Sequence, residues 1–258
     1  MLKYLETKSP ILNENTFSDK FTDKRVLVMG SGPSVNSVKW EELEYDAIVT
    51  TTFFYLNDKV RNLKNITHIT LSEIIDFNHP DLIKFIQSNP ECTLALEPKP
   101  GRPFYNTDTF KQFENTYKDK LIYYNTEVDR LEGVGGRLAF FVMAFNPKEL
   151  YYVGIDGKSQ DQYKNDPYNA FRKNIKDGDD LAGGKSNLSP KHARHSYEKV
   201  LNDHINFAQV LHKHSKSSNT KLYNLGEGFP YNCSTVYSKQ HFPLSEQIKQ
   251  KIKKDGNK

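Results

Sequence analysis

Residues Arg25 to Ser34 read Arg-Val-Leu-Val-Met-Gly-Ser-Gly-Pro-Ser, and this stretch decides the fold class. Its first half is a short apolar run of the kind that forms a buried parallel strand. Two glycines follow at once and let the backbone turn tightly and approach a ligand. Pro33 suits the first turn of a helix, and Ser34 supplies a hydroxyl group. A strand, a glycine turn and a helix in this order predict an α/β protein that presents backbone N–H groups to a phosphate.

The glycine turn leaves two interpretations open. Position 35 is Val35, so the full Gly-x-Gly-x-x-Gly pattern of dinucleotide-binding folds is absent, as is the lysine of a P-loop. One interpretation is a ligand-binding loop, and its residues would be Gly30, Ser31, Gly32, Pro33 and Ser34. The other is a plain strand-to-helix turn, which uses the same residue types.

Composition narrows the function classes. The chain has 258 residues, enough for one large α/β domain or two small ones, and its net charge of +4 is too small and too diffuse to indicate a nucleic-acid partner. Cys92 and Cys233 match no metal-binding spacing, and we expect both to be free thiols in a reducing cytoplasm. No apolar run is long enough to span a bilayer, and the first residues lack the apolar region of a secretory signal. We therefore expect a cytoplasmic protein.

Strands and helices alternate along the chain. We predict strands at residues 25–29, 46–51, 66–71, 93–96, 121–124, 149–154 and 221–225, and helices at 34–44, 81–87, 137–145 and 197–214. This alternation predicts a mostly parallel sheet with right-handed crossovers. We expect an N-terminal arm at 1–24, one catalytic domain at 25–245 with a lid insertion at about 158–190, and a basic tail at 246–258.

Polar and glycine-rich segments follow several of these strands. In an open parallel sheet a ligand lies beyond the carboxyl ends of the strands, and four segments are expected to meet there: residues 30–34, 50–52, 133–137 and 154–158. Thr51 and Thr52 end the second strand. Gly135 and Gly136 open a helix and offer further backbone N–H groups to a phosphate. Asp156 closes a strand and suits a sugar hydroxyl; a simple turn or helix cap is the alternative.

Two histidines follow the predicted lid. His192 and His195 precede a helix, and a neutral histidine is the usual base for a hydroxyl proton. A surface position without a catalytic role is the alternative for each. No cysteine or carboxylate completes a metal site around this pair by spacing, so we expect no metal. Tyr163 and Tyr168 lie in the lid, where a tyrosine covers a ligand or simply anchors the loop. Arg137 is either a phosphate contact or a solvated residue at a helix start.

Taken together, these motifs resemble the bacterial lipooligosaccharide sialyltransferases that use CMP-N-acetylneuraminic acid. The resemblance rests on the Gly-x-Gly-Pro-Ser turn at 30–34, residues 45–59, the glycine-rich helix start, the Gly-Ile-Asp at 154–156 and the His-Ser at 195–196. It covers roughly residues 25–225. Ser31 and Thr52 stand where that family has asparagine. A wider group that includes relatives of the archaeal pterin pyrophosphokinases shares the first turn and a late Gly-x-Asp.

The resemblance implies a Rossmann-like three-layer sandwich and a metal-independent sugar transfer from a nucleotide-sugar donor, with no other cofactor. The turn at 30–34 would hold the donor nucleotide, and the glycines at 135 and 136 would lie near its phosphate. Asp156 would line the site, and Tyr163 would steady the leaving phosphate. His195 fits the catalytic base, with His192 in reserve. Lys158 stands near the place of a family tyrosine and is our candidate for a phosphate partner.

The sequence therefore predicts a glycosyltransferase for a surface glycan, with two rivals. One is a pyrophosphokinase-like phosphoryl transferase that uses ATP and Mg²⁺; the other is a nucleotide-binding module without turnover. The expected partners are the nucleotide-sugar donor, preferably a CMP-sugar, and a glycan acceptor. The basic tail from Lys249 to Lys254 either contacts anionic lipid at the inner membrane face or stays solvated. A homo-oligomer, the donor sugar, the acceptor and the linkage are left open.

Overall fold

A seven-stranded parallel sheet forms the centre of the part of the protein that the structure describes. The computed structural model describes residues 19–71, 76–96, 106–123, 134–155, 211 and 214–225. The strands are β1 Arg25–Met29, β2 Ala47–Thr51, β3 Ile66–Leu71, β4 Thr93–Leu96, β5 Leu121–Tyr123, β6 Glu149–Val153 and β7 Lys221–Asn224. Their order is β5-β4-β3-β2-β1-β6-β7, and every neighbouring pair is parallel. The predicted α/β class with a parallel sheet is confirmed.

The central strands are buried on both faces. All five residues of β2 and the last four residues of β1 are buried. A parallel sheet is covered by helices on each side, so its strands carry continuous apolar runs rather than alternating ones. In β1, Leu27 belongs to the apolar cluster on one face, and Val28 belongs to the cluster on the other.

Two layers of helices cover the sheet. Two helices, α1 (Pro80–Ser88) and α2 (Asp108–Tyr117), bury their apolar sides against one face of the sheet. The largest buried side chains of these helices are Phe85, Phe110 and Phe113. Helix α3, Val134–Met143, packs on the opposite face, and its last six residues are all buried. The predicted three-layer sandwich is therefore confirmed.

Local capping explains where two of the helices begin. In α1, Pro80 takes the first position, and the Asp81 N–H donates to Nδ1 of His79 at 3.3 Å. In α2, the Phe110 N–H donates to the Thr107 hydroxyl at 3.2 Å. We did not predict α2 from the sequence. Its signal was the Thr107 cap followed by phenylalanines three residues apart, which places both on one side of a helix.

The helix predicted at 34–44 is wrong. The chain there forms two short 3₁₀ helices, Pro33–Ser37 and Trp40–Glu42, separated at Val38, whose backbone is extended at φ −77° and ψ 136°. The segment between Pro33 and Val38 combines β-branched residues with asparagine and serine. These residues lose rotamer freedom in a helix or hydrogen-bond to the local backbone instead, so an α-helix gains little here.

Other predicted segments lie partly or wholly outside the described residues. These are most of the N-terminal arm, most of the helix at 197–214, the lid at 158–190 and the tail at 246–258. Within the described ranges, none of the helices has the length and apolar composition that crossing a bilayer would require. Cys92 is a free, buried thiol, and burial raises its pKa to about 12.

An ion pair joins Arg25, the first residue of β1, to Asp46, the residue just before β2. The Arg25 backbone N–H donates to Oδ2 of Asp46 at 2.8 Å, and the Asp46 N–H returns a bond of 2.8 Å to the Arg25 carbonyl. The Arg25 guanidinium also contacts this carboxylate, with Nε 3.4 Å from Oδ2. The backbone N–H of Arg25, more than the guanidinium charge, holds the pKa of Asp46 below its usual range.

We predict that Asp46→Asn weakens the fold at neutral pH and flattens its dependence on acid. A lowered carboxylate pKa stabilises the fold above the pKa of the unfolded chain, and this contribution is lost as the pH falls through the folded-state pKa. Urea midpoints measured from about pH 7 to about pH 2 check this. The control is Asp58→Asn, which removes a carboxylate paired with Arg61 on the surface and 82% exposed. Identical pH profiles for wild type and Asp46→Asn would contradict the prediction.

Candidate functional site

The strand order creates a crevice beside β1. From β1 the chain runs outward through β2, β3, β4 and β5, then returns to β6 on the other side of β1 and continues to β7. The crossovers on the two sides of β1 therefore cover opposite faces of the sheet. In open parallel sheets, ligands bind outside the carboxyl ends of the strands where the direction reverses. Here that point lies beyond the ends of β1 and β6.

Two glycines face each other at this crevice. Met29 pairs with Val153 in the β1–β6 register, so Gly30 and Gly154 come next to each other. A Cβ atom built on Gly30 would overlap the carbonyl oxygen of Gly154, and one built on Gly154 would meet the carbonyl of Gly30. Gly154 also has φ +68°, a left-handed conformation that costs other residues energy. The backbone contact needs glycine at both positions.

Hydrogen bonds tie the two loops together around these glycines. The Gly30 N–H donates to the Val153 carbonyl, and the Gly32 N–H donates to the Gly154 carbonyl, both at 2.8 Å. The Gly154 N–H in turn donates to the hydroxyl of Ser34 at 2.9 Å. Ser34 is 5% exposed, so this hydroxyl serves to join the loops. Ser31 sits half-buried at the bend between Gly30 and Gly32, and its own backbone N–H has no partner in the described part of the chain.

Helix α3 begins at the same crevice. A Cβ atom built on Gly135 would lie 3.1 Å from Cγ1 of Ile155 and 3.7 Å from Cα of Gly30. The first turn of α3 therefore packs directly on both glycine loops. A helix start leaves backbone N–H groups without helical partners and carries a partial positive charge, which favours an anion. Gly136 is buried in this turn, and Arg137 is half-buried beside it.

The end of β2 adds polar groups to this region. Thr51 and Thr52 are 4% and 7% exposed. The Thr51 hydroxyl is enclosed and has no hydrogen-bond partner among the described residues. An unsatisfied buried hydroxyl costs about 1–3 kcal/mol. The neighbouring Thr50 differs, because its hydroxyl donates to the Met29 carbonyl at 3.4 Å.

The turn after β2 is strained. Phe53 has φ 72°, in the left-handed region, where a bulky residue is a true outlier. Its side chain is 2% exposed and belongs to the apolar cluster that includes the buried residues of α1. The packing of this side chain therefore holds the strained backbone in place. Such strain costs about 1–3 kcal/mol and is often found at functional sites. Nothing in the sequence signalled it, since phenylalanine is not a typical turn residue.

The structure therefore brings three of the four predicted segments into contact. Gly30, Gly135 and Gly154 touch one another or share Ile155, and the β2 end lies on the adjacent strand. Several predicted site residues fall outside the described residues: Asp156, Lys158, Tyr163, His192 and His195. In the ranges that are described, no group of three or more His, Cys, Asp or Glu side chains is placed to hold a metal ion.

Solved structures share this fold. No protein-family model matches the chain, and no curated protein matches it in sequence. The monofunctional α-2,3-sialyltransferase Cst-I from Campylobacter jejuni superposes with a TM-score of 0.54 at 18% identity, covering 93% of this chain and 84% of Cst-I. A variant of the sialyltransferase Cst-II in complex with CMP superposes with a TM-score of 0.51 at 18% identity, covering 81% of this chain and 84% of that one.

We predict that Gly30→Ala destabilises the fold by about 1–3 kcal/mol, because the new methyl group must displace the Gly154 backbone. The matched control is Gly135→Ala. There the nearest atom belongs to the Ile155 side chain, which can shift, and alanine gains up to about 1 kcal/mol in helix propensity. Free energies of unfolding from urea titrations check the pair. Equal stability of the two variants would contradict the proposed backbone contact.

We also predict that Thr51→Val stabilises the protein by about 1 kcal/mol, since valine has the shape of threonine and removes the unsatisfied hydroxyl. Thr50→Val, at the adjacent buried position, should instead lose about 1 kcal/mol with its hydrogen bond. Thermal and urea unfolding distinguish the two. A loss of stability in Thr51→Val equal to that in Thr50→Val would show that the Thr51 hydroxyl is satisfied.

The predicted resemblance is thus confirmed at the level of the fold, which this chain shares with the sialyltransferases Cst-I and Cst-II.

Proposed function

We propose that this protein is a glycosyltransferase that moves a sugar from a nucleotide-sugar donor, preferably a CMP-sugar, to a hydroxyl group of a glycan acceptor. The observation that carries the proposal is the crevice at the β1–β6 switch point, where two glycine loops and the start of α3 meet. A nucleotide phosphate is the kind of ligand that such a helix start binds. The fold shared with a CMP-bound sialyltransferase supports CMP as the nucleotide.

Among the described residues, backbone N–H groups would hold the donor. The start of α3, with Gly135 and Gly136, faces the crevice and would take the phosphate. Ser31 lies at the bend of the first loop, where its free backbone N–H is a donor for the same ligand. Since glycine loops let a ligand approach the main chain closely, this arrangement fits a phosphate without a metal.

The chemical step is assigned to residues that follow β6 in the sequence. In the proposed reaction, His195 takes the proton of the acceptor hydroxyl, and the hydroxyl oxygen attacks the anomeric carbon of the sugar. The bond from that carbon to the phosphate oxygen breaks, and the nucleotide leaves with the bonding electron pair as its phosphate anion. Tyr163 and Lys158 would stabilise this anion, Asp156 would line the sugar site, and His192 is the reserve base.

The reaction itself is the test. We predict that the wild-type protein releases CMP from CMP-N-acetylneuraminic acid in the presence of EDTA, measured by chromatography. His195→Ala should lower the rate about 100-fold or more, the typical contribution of a general base. Equilibrium binding of CMP should stay the same, because the base does not hold the nucleotide. The wild-type rate should rise with pH through about 6.5 as the histidine loses its proton.

Each control separates one alternative. His192→Ala should keep most of the activity, and the reverse result would move the base to His192. Release of AMP from ATP that requires Mg²⁺ would favour the pyrophosphokinase-like rival. CMP binding without turnover of any CMP-sugar would favour a nucleotide-binding module. The absence of both CMP binding and turnover would contradict the proposal as a whole.

The proposal also covers where the protein works in the cell and which membrane and glycan partners it has. A transferase of this kind would work on the cytoplasmic side of the membrane, where nucleotide-sugars are available to it. The lysine-rich tail from Lys249 to Lys254 would add a peripheral contact with anionic lipid. Lipooligosaccharide or another surface glycan would be the acceptor class.

A further inference from the structure

A second concave region lies away from the crevice. It is a groove of about 400 Å³ between residues 61–64 and helix α1. Helix α1 runs from the carboxyl end of β3 back to the amino end of β4, and the groove reaches Ser88 and Asn89 at the end of that helix. It is therefore distinct from the crevice beyond β1 and β6. Its volume falls in the range of small-molecule sites in proteins.

Three cations line this groove. Arg61 and Lys64 come from the loop before β3, and Lys84 comes from the exposed side of α1. Arg61 is paired with Asp58 at 2.9 Å. In the described part of the chain, no carboxylate pairs with Lys64 or Lys84. Two ammonium groups from separate elements that share a concave surface and lack carboxylate partners favour an oxyanion between them.

Hydrogen-bonding groups line a further part of the groove. Asp81 lies near the start of α1, and Asn62, Ser88 and Asn89 complete the polar wall. The Asn89 amide nitrogen already donates to the Phe85 carbonyl at 2.8 Å, which fixes the orientation of this side chain. A carboxylate such as Asp81 repels a bare anion but accepts hydrogen bonds from hydroxyl groups. The lining therefore suits a ligand that carries both an oxyanion and several hydroxyls.

The floor of the groove is rigid. Tyr55 is 1% exposed; its ring packs edge-on against Phe54 with centroids 5.8 Å apart, and it is tilted against the His79 ring with centroids 5.1 Å apart. Phe85 is also largely buried at this side of α1. A rigid floor favours binding, because little conformational entropy is lost when a ligand enters. Tyr55 belongs to the same short 3₁₀ turn that follows the strained Phe53, so the groove adjoins the turn at the end of β2.

We infer that this groove binds a phosphorylated sugar or a similar polyol phosphate. The phosphate lies between Lys64 and Lys84, and the hydroxyls contact the side of the groove near Asp81. The concave shape favours such a small ligand over a membrane surface, which would need a flat or convex basic face. This assignment does not depend on the nucleotide site at the crevice, because the two regions share no residue.

The test is calorimetric titration of the full-length protein with glucose 6-phosphate, with glucose and inorganic phosphate as partial probes. We expect glucose 6-phosphate to bind more tightly than either partial probe. The double variant Lys64→Gln/Lys84→Gln should weaken this binding about tenfold or more, as expected for losing hydrogen bonds to a charged group. The control Lys111→Gln/Lys118→Gln removes the same charge from exposed positions of α2 and its end, and should change the affinity less than about twofold.

Three results would overturn the inference. One is the absence of binding to glucose 6-phosphate, and another is an equal loss in both double variants, which would reflect net charge alone. The third comes from vesicles that contain phosphatidylserine. If the wild type binds these vesicles but not glucose 6-phosphate, and the Lys64→Gln/Lys84→Gln variant loses the vesicle binding, the groove is a membrane contact instead.

Discussion

The backbone contact between Gly30 and Gly154 is the constraint on which the candidate site depends. Parallel strands β1 and β6 are adjacent, so the loops that leave them start side by side. Most residues would force these loops apart, whereas two glycines allow them to touch, and three hydrogen bonds then hold them together. Because Gly135 packs on the same point, the start of α3 is fixed as well. One small contact thus sets the shape of the crevice.

This constraint gives the glycine motif a double role. The sequence suggested that its glycines approach a ligand, yet Gly30 and Gly154 approach each other, and the Ser34 hydroxyl serves the loop. The short 3₁₀ helix after the first loop is too brief to carry a useful dipole, so the anion-binding end falls to α3. Two features at the end of β2 lower the stability of the fold in this region: the strained backbone of Phe53 and the unsatisfied hydroxyl of Thr51.

The sheet was predictable because its strands are short, apolar and separated by clear turns, as in Val26 to Met29 and Thr93 to Leu96. The meeting of the glycine segments was predictable too, since parallel strands end at one edge. The structure of residues 34–44 was not predictable in the same way. The helix propensity of this segment is weak, and the chain forms two short 3₁₀ helices instead of an α-helix. Helix α2 was missed, although its Thr107 cap was readable. The groove beside α1 was also missed, since it joins residues distant in sequence through tertiary packing. The proposed catalytic residues, from Asp156 to His195, remain predictions.

The most direct test of the account is a nuclear magnetic resonance titration of protein labelled with ¹⁵N-glycine, with CMP added in the presence of EDTA. The chain has 14 glycines, so the spectrum is simple, and the glycines of the crevice can be assigned by substitution. We expect the amide signals of Gly135 and Gly136 to shift most, because the phosphate binds at the start of α3, with smaller shifts at Gly30 and Gly32. Binding of CMP that leaves all four signals unchanged, or the absence of any CMP binding, would contradict it.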